Sequence, residues 1–286
     1  MNEMNDVETA CPLELMEQVR RIKHVALDMD GTIYKGSTLF PFTVAFLKRM
    51  KELGIGYSFL TNNPSKSTSD YLLHLSTMGI VATKEELYTS AQATIDYMFT
   101  HHPNCKRLFI LGTPSMIGEF VEAGFVSTDD DSGDEPDAVV VGFDMSLVYS
   151  RLCRAAWWIE QGKLYVATNP DRVCPTDEPL VLVDCGSICS SLEQATGRVP
   201  DVVIGKPDPR MLDGVMKRHR LEASEVAMVG DRIYTDILMA QRAKVLGVLV
   251  LSGETTYETA VAAHPQPDII ARDLEEFQLL IEESRD

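Results

Sequence analysis

The chain has 286 residues, 45% hydrophobic and 24% charged, which is enough apolar material for two ordinary globular domains and excludes a disordered or fibrous chain. Asp and Glu number 43 against 26 Lys and Arg, a net charge of −17 that argues against nucleic acid and against an anionic membrane surface as partners. The longest apolar runs, such as 245–251, fall far short of the roughly 20 residues of a membrane helix, so any bound anion must be met by a few placed cations or a metal ion in a water-soluble protein.

The N-terminal stretch MNEMNDVETA is polar and acidic, unlike a signal or transit peptide. Six cysteines (Cys11, Cys105, Cys153, Cys174, Cys185 and Cys189) read as reduced thiols of a cytoplasmic protein. Cys185 and Cys189 lack a second Cys or His pair at zinc-finger spacing. The first chemistry-bearing element is HVALDMDGT, 24–32, where an apolar run ends abruptly in Asp28 and Asp30. GYSFLTNNPSKS, 56–67, repeats the pattern: apolar through Leu60, then Thr61-Asn62-Asn63, with Ser65 or Ser67 placed to cap a helix.

About 145 residues then separate Thr61 from Lys206, far too many for a single crossover. Residues 90–199 carry their own α/β pattern: helices at SAQATIDYMF, MIGEFVEAG and SRLCRAAWWIE alternate with strands at RLFILG, DAVVVGF and LYVATN. The acidic stretch 127–137 reads as a surface loop, and of Trp157 and Trp158 at least one faces a core. Next comes DVVIGKPDP, 201–209, ending its apolar run at Gly205-Lys206, and then EVAMVGDRIYTDI, 225–237, which ends at Asp231 and continues to Asp236. Short apolar runs alternating with helices predict a parallel sheet covered on both faces, with ligands outside the carboxyl ends of the strands. The reading is therefore α/β: a Rossmann-like, doubly wound core in two parts, 1–89 and 200–286, with an inserted α/β cap domain, 90–199.

Alone, each motif has a bland explanation: Asp-Gly is a turn, Thr-Asn-Asn a helix cap, Asp236 a helix-start acid. Together they bring three carboxylates, a lysine and a threonine to one edge. Carboxylates so gathered need a cation among them, and all-oxygen ligation without His or thiol selects a hard ion, Mg²⁺. Lys and Thr beside backbone N–H groups form an anion cradle. That combination implies phosphoryl transfer, in which a carboxylate can serve as nucleophile.

DMDGT, LTNN, GKPDP and GDRIYTD resemble, in order, the four motifs of the haloacid dehalogenase superfamily, in the form of its phosphatases with a type IIA cap, the 4-nitrophenylphosphatase-like group. The resemblance covers nearly the whole chain, and no motif position is substituted. It implies that Asp28 is the nucleophile and that Asp30 is the general acid/base, lending its carbonyl to Mg²⁺. By the same resemblance Gly31 offers its N–H to the phosphate, Thr61 and the Asn62 backbone hold phosphoryl oxygens, and Lys206 ties Asp28 to the phosphate. Asp231 becomes the third metal ligand, and Asp236 orients the metal's waters. Members that cleave C–Cl or C–P bonds lack an acid two residues after the nucleophile, so Asp30 favours phosphate esters. Within ATNPDRVCPTDE, 167–178, similar to the family's specificity loop, Asn169 and Asp171 are candidates to touch the leaving group, with a plain Pro-Asp turn as the alternative. The expected function is hydrolysis of a small phosphorylated metabolite through an aspartyl-phosphate. A phosphotransferase or mutase, and a non-catalytic metabolite-binding protein, stay open, as does a homo-oligomer through the cap.

Overall fold

A computed structural model describes residues 12–176 and 179–286; Cys11, the acidic N-terminal stretch and two residues of the 167–178 loop lie outside them. Helix α1 (Pro12–Arg21) leads to strand β1 (His24–Asp28), buried along its length, and to a hairpin of β2 (Tyr34–Lys35) and β3 (Thr38–Leu39). Helix α2 (Thr43–Glu52), strand β4 (Gly56–Thr61), helix α3 (Thr68–Thr77) and strand β5 (Leu87–Thr89) follow. Next come α4 (Ser90–His101), β6 (Arg107–Leu111), α5 (Pro114–Glu122), β7 (Val126–Ser127), β8 (Ala138–Val141), α6 (Tyr149–Glu160) and β9 (Leu164–Ala167). A short ribbon of β10 (Val173–Cys174) and β11 (Leu182–Val183) precedes α7 (Cys185–Thr196) and β12 (Val202–Val203). The chain closes with α8 (Arg210–His219), β13 (Val226–Gly230), α9 (Leu238–Ala243), β14 (Leu246–Val250), α10 (Tyr257–Val261), β15 (Ile269–Ala271) and α11 (Leu274–Glu283).

Two parallel sheets result. The larger has the order β15-β14-β13-β1-β4-β5 and the smaller β12-β9-β8-β6-β7. From β1 the chain winds outward through β4 and β5, then returns on the opposite side to β13. That reversal opens a crevice at the carboxyl end of β1, where ligands bind in open α/β sheets. Helix starts are fixed locally: Ser67 Oγ accepts from Asp70 N at 3.1 Å and the Asp70 carboxylate accepts from Ser67 N at 3.0 Å, a reciprocal capping box that starts α3 just past Asn63. Thr113 caps α5, which has Pro114 in its first turn, where a missing N–H costs nothing.

One strand lies elsewhere than the sequence suggests. The apolar run before Lys206 reads as a member of the same sheet as β1, yet Val202 and Val203 pair with Val166 and Ala167 at the edge of the smaller sheet. The unit β9-α7-β12 is an ordinary crossover to a neighbouring parallel strand, and both flanks of β1 are already filled by β4 and β13. Lys206 therefore reaches the crevice from the smaller sheet. The two sheets also share apolar contacts: Ala26, Leu60 and Met228 of the larger and Leu108, Val140 and Val166 of the smaller belong to one buried cluster with Ile95 and Met98 of α4 and Leu212 of α8.

Candidate active site

β1 delivers Asp28 at its last residue, where the backbone leaves the sheet and the carboxylate faces the crevice rather than a neighbouring strand. Thr32 Oγ1 donates to Asp28 Oδ2 at 3.5 Å, a long contact. Asp30 lies on the cavity wall and accepts from Gly36 N at 3.2 Å. Gly31 has φ +91, and a Cβ there would lie 2.3 Å from Asp231 Oδ2, so glycine is required both for the turn and for the close approach of that carboxylate. Its N–H, expected to face a phosphate, donates instead to the Tyr34 carbonyl at 2.7 Å, because the turn after Asp30 folds straight back onto Tyr34.

Lys206 is almost fully buried, 4% exposed. Its ammonium bonds Asp28 Oδ1 and lies 2.8 Å from Asp236 Oδ1. Burial works against its charge, but Asp236 and Asp28 outweigh that and hold its pKa above the ordinary lysine value. Asn62 fixes the backbone beneath it. Its Oδ1 accepts from Lys206 N at 2.6 Å and its Nδ2 donates to the Lys206 carbonyl at 2.9 Å. Thr61 ends β4 at the cavity wall, its Oγ1 accepting from Asn63 N at 3.2 Å.

Asp231 follows β13, and Asp236 lies in a π-helical turn, Ile233–Ile237, a local irregularity that is frequent at functional sites. Carboxylate oxygens of Asp28, Asp231 and Asp236 come within 4.8 Å of one another. Asp231 Oδ2 accepts from Glu254 N at 2.6 Å, whereas its buried Oδ1 has no hydrogen-bond partner among the described residues. Burial, then the charges of Asp28 and Asp236, push Asp231 up to about 7. Burial likewise raises Asp236 to about 6, against the opposing pull of Lys206. One lysine among three acids leaves negative charge uncompensated. An orphaned carboxylate oxygen and an all-oxygen donor set fit a hard divalent cation.

Residues 25–126 match the family model for haloacid dehalogenase-like hydrolases, and residues 203–277 match a second model of HAD hydrolase-like proteins. Ribonucleotide monophosphatase NagD of Escherichia coli is 31% identical over 83% of this chain and 90% of its own length. Of solved structures, 4-nitrophenylphosphatase from Thermotoga maritima superposes with a TM-score of 0.86 at 38% identity, over 92% of this chain and 98% of that one. The chain belongs to the haloacid dehalogenase-like hydrolases. It is a phosphatase of the group with a type IIA cap. A glycerol phosphate phosphatase from Mycobacterium tuberculosis, solved in complex with magnesium, is 32% identical with a TM-score of 0.82, over 91% of this chain and 78% of that one. Among the described residues no helix is long and apolar enough to cross a membrane.

In this haloacid dehalogenase-like phosphatase Asp28 opens onto a cavity of about 240 Å³, which shares Asp30, Gly36, Pro175 and Arg232 with a neighbouring cavity of about 570 Å³ bordered by Asp231. Asp171 lines the first cavity and accepts from Asn62 Nδ2 at 2.9 Å, so the loop after β9 is tied directly to the loop after β4. Asn169 lies behind the wall, fully buried, donating to Asp171 Oδ2 at 3.2 Å and Asp184 Oδ1 at 3.1 Å. Asp184, Lys66, His74, Tyr34, Tyr71 and Arg232 also line the cavity, and none of them stands out in the sequence. Asp184 carries a local signal as the acid capping α7. Tyr71 and His74 are spaced i, i+3 just after the Ser67 cap and so share one face of α3, which a helical reading of that stretch could have found.

Proposed function

We propose that the chain is a Mg²⁺-dependent phosphomonoester hydrolase that releases inorganic phosphate from a small phosphorylated metabolite through a covalent intermediate on Asp28. The observation that carries this reading is the cluster of Asp28, Lys206, Asp231 and Asp236 at the switch point of the sheet. A carboxylate oxygen of Asp28 attacks phosphorus, the bond from phosphorus to the leaving oxygen breaks, and Asp30 supplies the proton that turns an alkoxide into an alcohol. Water then attacks the aspartyl-phosphate, Asp30 takes the proton, and Asp28 is regenerated with phosphate. Thr61 and the Asn62 backbone hold the phosphoryl oxygens. Lys206, kept cationic by its two acids, balances their negative charge and keeps Asp28 aimed.

Asp28, Asp231 and the Asp30 carbonyl would hold the cation, with Asp236 behind them. Such an ion supplies charge neutralisation of the phosphoryl group. Gly31 contributes space for Asp231 rather than a phosphate contact. The layer built on the larger sheet acts as the catalytic core, and the insert from residue 90 through β12 as the cap that screens the site and reads the leaving group, with Asp171 at its tip and Asn169 holding Asp171 in place. The names of the relatives point to different alcohols, and the phosphomonoester is what they share. The polar side chains lining the cavity fit a small, hydrophilic substrate.

Asp28→Asn should abolish phosphate release while leaving circular dichroism and the thermal midpoint close to wild type. Chelation should stop turnover, Mg²⁺ should restore it, and Ca²⁺, which prefers more ligands at longer distances, should not. Mg²⁺ should also raise the thermal midpoint of the wild type more than that of Asp231→Asn. Full activity in folded Asp28→Asn, or undiminished turnover in excess chelator, would overturn the assignment.

A further inference from the structure

Charge is distributed unevenly around the cavity. The acids Asp28, Asp30, Asp171 and Asp184 come from the end of β1 and from the segments after β9. Helix α3 and the loop before it contribute Lys66, Tyr71 and His74 and no carboxylate. Three cations line the cavity, but two are already engaged. Lys206 serves Asp28 and Asp236, and Arg232 Nε lies 3.0 Å from Glu254 Oε2. Lys66 has no carboxylate at ion-pair distance among the described residues. Asp70, the nearest acid in sequence, is held by Ser67 N, Ser67 Oγ accepting in turn from Asp70 N, and by Ser115 Oγ at 3.2 Å.

The ammonium of Lys66 stands over the Tyr71 ring, 5.7 Å from its centroid, and Tyr71 is itself pinned by donation from its hydroxyl to the Asn63 carbonyl at 2.9 Å. His74 meets the Tyr34 ring edge-on at 5.6 Å. Both Lys66 and His74 are half-buried. Lys66 is thus a cavity cation with no carboxylate in direct contact among the described residues, its charge reaching Asp70 only at longer range.

Resting on the hydrolase reading above, we propose that Lys66, flanked by His74, is a specificity-determining anion subsite, so that the preferred substrates are phosphomonoesters whose alcohol carries a second anionic group, a carboxylate or another phosphate. His74 acts as a neutral hydrogen-bonding group: burial and the adjacent Lys66 charge both hold its pKa below the ordinary histidine value, and the lysine alone supplies charge.

Matched pairs of substrates test this: 2-phosphoglycolate against 2-hydroxyethyl phosphate, 3-phosphoglycerate against glycerol 3-phosphate, and 1,3-propanediol bisphosphate against its monophosphate. Wild-type kcat/KM should favour the doubly anionic member of at least one pair by about tenfold or more, the ratio of a single well-placed charge contact. Lys66→Gln should collapse that ratio towards one mainly through KM, Lys66→Arg should retain it, and Lys66→Glu should invert it. Which pair shows the largest ratio distinguishes a carboxylate from a second phosphate. A wild-type ratio near one in every pair, or equal slowing of both members in Lys66→Gln, would overturn the subsite. No phosphate release from any ester would instead overturn the hydrolase reading itself. A circular dichroism spectrum and thermal midpoint for each variant exclude misfolding, and should Lys66→Gln not fold, the ratios in Lys66→Arg and Lys66→Glu decide.

Discussion

Two acids one residue apart at the end of a buried strand repel each other unless each has its own partner. Asp28 has Lys206 and Thr32; Asp30 has the Gly36 N–H. The proposed division of labour follows, and Asp30→Asn examines it. Asn has nearly the same volume and keeps an oxygen for Gly36, so the substitution isolates the proton. An alkoxide is a poor leaving group and 4-nitrophenolate a good one. Single-turnover release of the alcohol should therefore slow by about 10²–10⁴-fold with an alkyl phosphate and far less with 4-nitrophenyl phosphate. Equal slowing would leave Asp30 as a metal-positioning residue only. Asp28, Lys206 and Asp231 were legible because each follows an apolar run with a polar residue that a strand end would otherwise not need, whereas Asp236, past the strand in a helical turn, was legible only through the order of the motifs. Lys66 and Asp184 were not, since a lysine in a loop and an acid before a helix look the same whether they face solvent or a cavity.

Helix α7 begins at the cavity wall, and its cap belongs to both. Asp184 Oδ1 accepts from Cys185 N at 2.5 Å and from Asn169 Nδ2, and through Asn169 and Asp171 the cap is linked to Asn62. Burial, only partly offset by those donors, raises Asp184 to about 6 from an ordinary 3.8. Between those two values the unfolded chain has lost the proton and the folded chain keeps it, so ionisation favours unfolding and stability falls as pH rises through the window. An asparagine side chain in the same place caps equally well and does not titrate. Urea unfolding should thus show Asp184→Asn gaining on the wild type by roughly 2–3 kcal/mol from pH 4 to pH 6.5, a gap that then stays level. The other acids titrate in both proteins and cancel in the difference. A gap independent of pH would mean that Asp184 is ionised in the folded chain. Periodicity foretold α7's neighbours, α6 and β9, and the apolar run before Lys206 read as a strand, but not its place on the smaller sheet: two valines cannot choose between sheets, and only the crossover geometry assigns them.

The insertion between Thr61 and Lys206 was readable as an α/β unit from its alternation of runs, yet nothing in that alternation says that its sheet and the larger one share buried side chains through α4 and α8. A helix with Ala91, Ile95 and Met98 on one face declares that it is covered, not by which sheet. The shared cluster makes a joint unfolding transition the expectation. Both tryptophans of the chain lie in α6, Trp158 buried against the smaller sheet and Trp157 exposed, so fluorescence follows that layer while far-ultraviolet circular dichroism follows the whole. Met98 is fully buried in the cluster, and Met98→Ala should cost about 2–5 kcal/mol and move both signals together. A fluorescence transition that stays in place while circular dichroism shifts would show two layers melting separately.

The position of β12 also sets an order of events during synthesis, when residues emerge at about 5–20 per second from the N-terminus. Every strand of the smaller sheet, Arg107 to Val203, is made before β13 at Val226 can fill the open flank of β1, so the interrupting layer can close while its host is half built. Lys206 emerges with the last strand of that layer, ahead of Asp231 and Asp236. Both late carboxylates therefore enter a crevice where an ammonium already waits beside Asp28, and at no stage of growth must the nascent site gather all three acids without a counter-charge.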